Sequence, residues 1–138
     1  MGNTSNNDIY LPEQASVVRT EPMTDLEMFL EFKLDSGKEL GHGPGQFAEV
    51  SIPGIGEAPI SISSSPTQAG SFEMVVRKMG NVTGAMHGLS AGDKVGIRGP
   101  FGTTFPVDGE MKGKDLLFIC GGLGLVPMRS AIKYVMAK

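Results

Sequence analysis

Residues 116–127 read Leu-Leu-Phe-Ile-Cys-Gly-Gly-Leu-Gly-Leu-Val-Pro, which joins an apolar run to a glycine-rich turn and a proline. A continuous apolar run of this kind is typical of a strand that is buried on both faces of a parallel sheet. Proline suits the first position of a helix, so we expect the next helix to begin at Pro127. The apolar residues that then recur at helical spacing on one face are Met128, Ala131, Ile132, Val135 and Met136. A strand, a glycine turn and a helix in this order indicate the beginning of a nucleotide-binding α/β unit.

The sequence before this unit is patterned as short β-strands joined by turns. The clearest strand covers residues 27–34, where apolar side chains recur at every second position. Further strands are predicted over 15–20, 46–52, 59–63, 71–79 and 94–98, with a short helix over 81–89. Glu21-Pro22 is expected to end the first strand, and Gly99-Pro100-Phe101-Gly102 the last. Six short strands with regular turns predict an all-β, six-stranded antiparallel Greek-key barrel, because closure removes exposed sheet edges.

These patterns divide the chain into three parts. Residues 1–11 are polar and predict a mobile lead-in. Residues 12–108 form the predicted barrel, and 113–138 begin the predicted Rossmann-like domain, with the boundary in the polar, glycine-containing stretch between them. Since the sequence ends one helix after the glycine turn, only the first βα unit of that second domain is expected within these 138 residues.

Composition excludes several classes of function. A net charge of −3 gives no basic patch for nucleic acid. The longest apolar run is about seven residues, far too short to span a membrane. The polar N-terminus lacks the order of a signal peptide, which predicts a cytoplasmic protein. The single cysteine, Cys120, excludes an internal disulfide and an iron–sulfur cluster held by cysteines of this segment alone.

Five short motifs occur in a fixed order along the chain. They are Gly45-Gln46-Phe47, the decapeptide 57–66 (Glu-Ala-Pro-Ile-Ser-Ile-Ser-Ser-Ser-Pro), Gly80-Asn81-Val82-Thr83, Gly99-Pro100-Phe101-Gly102, and the glycine turn 121–127. Together they resemble the ferredoxin–NADP reductase superfamily over residues 12–138. The sequence is most similar to the flavin (gamma or B) subunits of cytoplasmic hydrogenases and of sulfur or sulfite reductases. The electron-transfer subunit of dihydroorotate dehydrogenase is the next most similar branch.

The resemblance implies an FAD-dependent NAD(P)H oxidoreductase subunit. Its barrel would hold FAD rather than FMN, its second domain would bind NAD(P), and electrons would pass to an iron–sulfur or catalytic partner subunit. A [2Fe-2S] cluster is implied only if a further cysteine-containing segment follows. No catalytic residue and no metal site are assigned, because flavin and nicotinamide exchange a hydride without a general acid or base. These 138 residues alone are expected to bind flavin but not to turn over NAD(P)H.

The resemblance places residues 59–63 beside the flavin ring. Ser61 would lie near the ring nitrogen that gains a hydride, where a short hydroxyl side chain forms a hydrogen bond without blocking a stacked nicotinamide. The backbone of neighbouring residues would hold the ring: Pro59, Ile60 and Ile62, with Val76 on the next strand. The plain alternative is a serine-rich strand end at the rim of a barrel.

The chain departs from the family pattern at one point. Ala58 and Ile60 stand where the family usually has an arginine, which meets the pyrophosphate, and an aromatic residue, which stacks on the flavin. Arg77, on the fifth predicted strand, is the expected replacement cation. The alternative interpretation is that Arg77 is simply an exposed arginine on a strand.

Two glycine-containing turns are candidate phosphate sites. The first, formed by Gly80, Asn81, Val82 and Thr83, would offer backbone N–H groups and the Thr83 hydroxyl to the flavin diphosphate, although an ordinary capped helix has the same pattern. The second would hold the pyrophosphate of NAD or NADP through Gly121, Gly122, Gly124 and Pro127. Cys120 is expected to be packed and non-catalytic, and His42 and His87 to be surface or turn histidines without metal partners.

Two further possibilities follow from the same residues. The barrel could lack flavin and dock a partner subunit, because the family arginine and aromatic residue are missing at Ala58 and Ile60. Separately, a strand over residues 115–120 without parallel neighbours would expose apolar surface. It is therefore expected to self-associate, to pair with another chain or to be disordered.

Overall fold

The computed structural model describes residues 9–138, so most of the predicted lead-in lies outside the described residues. The strands are β1 (Glu13–Pro22), β2 (Glu27–Leu34), β3 (Phe47–Ile52), β4 (Gly56–Ser61), β5 (Phe72–Arg77) and β6 (Lys94–Phe101). The helices are α1 (Asn81–Met86) and α2 (Leu125–Met136), and a 3-10 turn over Gly122–Gly124 leads into α2. Within residues 9–138, no helix has the length and apolar content needed to cross a membrane.

The six strands form one antiparallel sheet in the order β4-β3-β6-β1-β2-β5. The sheet curves so that its two end strands approach each other beyond the end of β4. There they meet at an isolated bridge between Ile62 and Met74, and the Ser63 amide donates to the Glu73 carbonyl at 2.8 Å. The predicted antiparallel fold is therefore confirmed as barrel-like. Its predicted full closure is corrected, because β4 ends at Ser61 before a continuous ladder with β5 can form.

The concave side of the sheet contains the hydrophobic core. On β2, Leu30 and Phe32 are fully buried at alternate positions, as the period-two pattern predicts. The Phe32 ring stacks on Phe72 of β5 with a centroid distance of 5.7 Å. Met86 of α1 is also fully buried and packs against the same core.

Several element boundaries differ from the sequence prediction. Strand β2 occupies the predicted residues, whereas β4 is shifted towards Gly56 and α1 ends at Met86. Strand β1 continues through Pro22, which lies opposite Met28, because a proline at the end of a strand removes no required hydrogen bond.

Strand β6 also continues past its predicted end. Phe101 lies opposite Phe47, and the register shifts on β3 between Phe47 and Glu49, so the Gly-Pro pair is accommodated as an irregularity within the sheet. Glycine is required at position 99, where φ is 131° and a Cβ would lie 3.3 Å from the Cα of Ala48.

The segment over residues 115–120 forms no β-ladder with any described residue, so the predicted strand is wrong here. A parallel strand exists only when hydrogen-bonded to a neighbour, and residues 9–138 supply none. The expected exposure of its apolar side chains is observed: Leu117 is 85% exposed and Ile119 is 77% exposed.

Helix α2 differs from its prediction in start and orientation. It begins at Leu125, so Pro127 is its third residue, where a missing N–H still costs no helical hydrogen bond. Its buried residues are Val126, Ser130 and Ala131, whereas Met136 is exposed. The face of α2 that packs against the rest of the chain therefore includes only part of the predicted apolar face.

Candidate functional site

A cavity of about 220 Å³ lies between the barrel and the glycine-rich turn. We call it the rim cavity; its lining residues are Pro59, Ile60, Ser61, Val75, Val76, Arg77, Leu123 and Val126. Strands β4 and β5 occupy opposite ends of the sheet order, and the curvature of the sheet brings them together here. The structure thus gathers five sequence-predicted residues, from positions 59–61 and 76–77, around one space.

Ser61 is the last residue of β4, and its backbone pairs with Phe47 of β3. The side chain is half-buried, and within residues 9–138 its hydroxyl makes no hydrogen bond. A fixed hydroxyl without a protein partner at the edge of a cavity can donate a hydrogen bond to a bound ligand.

Arg77 ends β5 and is the only cation among the residues that line the rim cavity. Its Nη1 donates to Glu27 Oε1 at 2.8 Å, in an ion pair that leaves the arginine substantially exposed. A second, more apolar cavity of about 380 Å³ adjoins the first and shares Val75, Arg77, Leu123 and Val126 with it. Arg77 can therefore present charge to a ligand that occupies either space.

Ile62 does not line the rim cavity. Its side chain is fully buried in the core, and its amide donates to the Gln46 carbonyl at 3.1 Å. Its place in the structure is at the bridge that brings β4 and β5 together.

The turn before α1 is stabilised by its own threonine. Thr83 Oγ1 accepts hydrogen bonds from the amides of Met79 and Gly80 at 2.9 and 3.0 Å. The amides of the first helical residues, Asn81 and Val82, have no hydrogen-bond acceptor among residues 9–138. These N–H groups can donate to a phosphate, whereas the Thr83 hydroxyl is already hydrogen-bonded to the backbone of its own turn. The turn does not line the rim cavity, although α1 contacts both β4 and β5.

The glycine-rich turn faces the barrel. Gly122 has φ of 53°, and it lines the second cavity. A Cβ at Gly121, Gly122 or Gly124 would meet no atom within 4 Å, so the backbone of this turn is open to a ligand. Leu123 and Val126 line the same rim cavity as Ser61.

Arg129 links α2 to the barrel and was missed by the sequence analysis. Its Nη1 donates to the Ser63 carbonyl at 3.0 Å and to Glu73 Oε2 at 2.5 Å. Arg129 follows Val126 by three residues, and this helical spacing could have placed it on the face that packs against the barrel.

Three residues differ from their predicted environments. His42 is buried rather than on the surface, because the loop that carries it packs beneath Ser64, whose carbonyl lies 3.1 Å from His42 Nε2. Burial lowers the pKa of His42, although the Ser64 hydrogen bond opposes this effect. His87 is half-buried with Nε2 2.8 Å from the Val76 carbonyl, and Cys120 is exposed rather than packed. Within residues 9–138, no group of three acidic, His or Cys residues could hold a metal ion.

Residues 14–105 match the sequence model of the family described as oxidoreductase FAD-binding domain. The chain belongs to this family, which confirms the predicted superfamily and identifies the barrel as an FAD-binding fold of oxidoreductases.

Among its relatives, the chain is 42% identical over 134 residues to sulfhydrogenase 1 subunit gamma of Pyrococcus furiosus, covering 95% of this chain and 46% of that protein. It is 39% identical over 97 residues to the probable dihydroorotate dehydrogenase B (NAD(+)), electron transfer subunit, of Methanocella arvoryzae, covering 70% of this chain and 34% of that protein. The chain thus spans less than half the length of these curated relatives.

Solved structures confirm the fold. The cytochrome P450 reductase GcoB of Amycolatopsis superposes with a TM-score of 0.80 at 27% identity, over 91% of this chain and 39% of that one. The ferredoxin–NADP+ reductase of Plasmodium falciparum superposes with a TM-score of 0.77 at 20% identity, over 92% of this chain and 52% of that one.

Proposed function

We propose that this chain is the FAD-binding part of a subunit that passes electrons between NAD(P)H and an iron–sulfur or catalytic partner subunit. The observation that carries the proposal is the rim cavity, where the unpartnered hydroxyl of Ser61 and the guanidinium of Arg77 face a glycine-rich turn. The two strands that supply these groups are far apart in the sheet order, and each contributes one polar group to the same space.

A bound flavin would supply the chemistry that converts a hydride into single electrons. Ser61 would hydrogen-bond the ring, and Arg77 would balance negative charge on the ring or the phosphates. The amides of Asn81 and Val82 would hold the diphosphate. Leu123 and Val126 would exclude water from the side of the ring that faces the turn.

NAD(P) and the partner subunits belong to the wider proposal. The glycine-rich turn, with Gly121, Gly122, Gly124 and Pro127, is the proposed contact for the pyrophosphate of NAD(P), supported by its open backbone. A [2Fe-2S] cluster would need cysteines besides Cys120. Relatives that are named as subunits of larger oxidoreductases support a partner subunit. A cytoplasmic location remains a prediction.

The test is the ultraviolet–visible spectrum of the purified protein, followed by mass identification of any released cofactor. We expect flavin absorption bands and FAD. Folded protein that is colourless and does not bind added FAD or FMN would contradict the proposal, and would favour the flavin-free docking module.

A second candidate is electron transfer to a dihydroorotate-oxidising subunit. It is favoured by the similarity to several electron-transfer subunits of dihydroorotate dehydrogenase, although the matched portion of the chain is shorter. Co-purification with a hydrogenase or with a dihydroorotate-oxidising subunit separates the two candidates.

A further inference from the structure

Helix α2 is connected to the barrel by one charged side chain. Arg129 Nη1 reaches the Ser63 carbonyl at 3.0 Å, the Ser63 hydroxyl at 3.4 Å and Glu73 Oε2 at 2.5 Å. Within residues 9–138, two other side chains at the C-terminal end of the helix make hydrogen bonds or ion pairs. Tyr134 and Lys138 both contact Asp108, which lies outside the barrel strands. Arg129 is therefore the only polar link between α2 and the barrel in the described part of the chain.

The acceptors of Arg129 are themselves fixed where the two ends of the sheet meet. The Ser63 amide donates to the Glu73 carbonyl at 2.8 Å, and the Glu73 amide donates to Ser64 Oγ at 3.0 Å. The backbone of Ser63 and Glu73 is thus fixed by hydrogen bonds within the barrel, and the two residues offer Arg129 a carbonyl and a carboxylate.

Glu73 needs this cation. The residue is only 8% exposed, and Arg129 is its only ion-pair partner within residues 9–138. A buried carboxylate without a partner is strongly unfavourable, so where α2 is packed against the barrel the Arg129 cation compensates the charge of Glu73.

The ion pair lies a few residues from the glycine-rich turn along the chain. Val126 is three residues before Arg129 on α2, and Leu123 lies in the 3-10 turn that leads into the helix. Both residues line the rim cavity together with Ser61, which is two residues before Ser63. One side chain thus connects the turn to the same chain segment that carries the proposed flavin contact.

We propose that Arg129 is a positioning residue which, through Glu73 and Ser63, sets the gap between the glycine-rich turn and the barrel rim. Arg129 also lines the second cavity, but its Nη1 is committed to the Ser63 carbonyl, the Ser63 hydroxyl and Glu73 Oε2, so we assign its role to the position of Leu123 and Val126. The effect of Arg129 on a bound ring rests on the proposed flavin function, whereas its role in docking α2 against the barrel does not.

Hydrogen exchange of α2 tests the docking, with Arg129→Ala compared with Lys133→Ala. Lys133→Ala is the matched control, because it removes the same charge one turn further along the helix, at an exposed position that makes no ion pair within residues 9–138. We expect Arg129→Ala to speed exchange over residues 125–131 by about tenfold or more, since a largely buried ion pair is broken. Arg129→Lys should recover part of the protection, because it restores the charge without the planar fork.

Equal exchange in Arg129→Ala and Lys133→Ala would overturn the proposal. If Arg129→Ala fails to fold, Glu73→Gln, which removes the charge from the barrel side, should speed exchange in the same residues. Where all variants fold, the double variant should exchange more slowly than the product of the two single effects predicts, because both substitutions break the same ion pair. Independent, multiplying effects of the two substitutions would also overturn it.

The visible circular dichroism of FAD-loaded protein tests the effect on the gap. Arg129→Ala should change the flavin bands and Lys133→Ala should leave them unchanged. If no flavin binds to any variant, the proposed function fails while the exchange measurement still decides the role of Arg129. If flavin binds and its bands are identical in all variants, the proposed effect on the gap is wrong.

Discussion

Arg77 supplies the cation of the rim cavity, so its removal tests the flavin site directly. We expect Arg77→Ala to weaken FAD binding by about tenfold, the usual scale for one charge-assisted hydrogen bond. Titration of the apoprotein with FAD, followed by flavin fluorescence, measures the change. Arg19→Ala is the control, because Arg19 is a comparably exposed strand arginine that pairs with Glu21 and Glu31 and does not line the cavity. Equal losses in both variants would contradict a specific role for Arg77.

The burial of His42 predicts that the stability of the protein depends on pH. Burial lowers the pKa of His42 in the folded protein below its ordinary value of 6.5. As the pH falls below about 6.5, the unfolded chain therefore binds the proton first and the folded state loses stability. We expect His42→Gln to remove this loss, so that its free energy of unfolding changes less between pH 7 and pH 5 than that of the parent chain.

Urea unfolding at several pH values measures this difference. The pKa values of Asp35 and Glu57 are also lowered, chiefly by hydrogen bonds from Lys94 and from Arg98 respectively. Their stabilisation is lost at lower pH, around and below about 4, and is the same in both proteins. Parallel curves for the parent and His42→Gln above pH 5 would show that His42 does not titrate as its burial requires.

Single residues were predictable where local sequence carries their role. Ser61 and Arg77 were found because they lie in strands with recognisable neighbours, and the structure places both at one cavity. Arg129 was missed and the environment of His42 was predicted wrongly, because their contacts come from distant segments. Arg129 contacts residues 56 and 66 positions away, and His42 contacts a residue 22 positions away. The sequence pattern of a single element does not predict such a contact.

At the level of elements, the outcome depends on whether the partner strand is present. The alternation in β2 predicted its bounds, because both neighbours of β2 lie in the described sheet and one face is buried. The apolar run over residues 115–120 carries an equally clear pattern and forms no ladder. A hydrophobic pattern indicates which side chains of a segment need to be buried. A strand also requires a neighbouring strand to supply hydrogen bonds.

This exposed segment predicts self-association. Leu117 and Ile119 present apolar side chains to solvent on an unpaired backbone, which favours pairing with a second chain. We expect the double variant Leu117→Lys and Ile119→Lys to weaken association by at least about tenfold, because charged side chains would oppose burial of the segment. Sedimentation velocity over a range of concentrations measures this.

Met79→Lys serves as the control for that experiment, since Met79 is exposed to a similar degree on a different part of the surface. If the parent chain is strictly monomeric and its residues 115–120 are strongly protected from exchange, the segment is covered by its own chain and the prediction is wrong. If Met79→Lys reduces association as much as the double variant does, the contact lies elsewhere.

In the whole molecule, the proposed site is lined by residues of the barrel and by residues that follow it in the chain. The barrel contributes Ser61 and Arg77, and the segment from the glycine-rich turn into α2 contributes Leu123 and Val126. The open helix start at Asn81 lies apart from this cavity, on a helix that contacts the same two strands. Under the proposed function, the ring of a flavin nucleotide would occupy the cavity and its phosphate would contact the helix start.

This division predicts how different flavins stabilise the protein. A ligand present at about 100 times its dissociation constant adds about 2.7 kcal/mol to the free energy of unfolding, which corresponds to a rise in Tm on the order of 10 °C for a chain of this size. At equal concentration we expect FAD to raise Tm most, FMN less and riboflavin least, because FAD carries two phosphates for the amides of Asn81 and Val82, FMN one and riboflavin none. Scanning calorimetry of the apoprotein with each ligand measures the order. Equal shifts from riboflavin and FAD would show that the ring alone binds and that the turn before α1 is an ordinary helix cap.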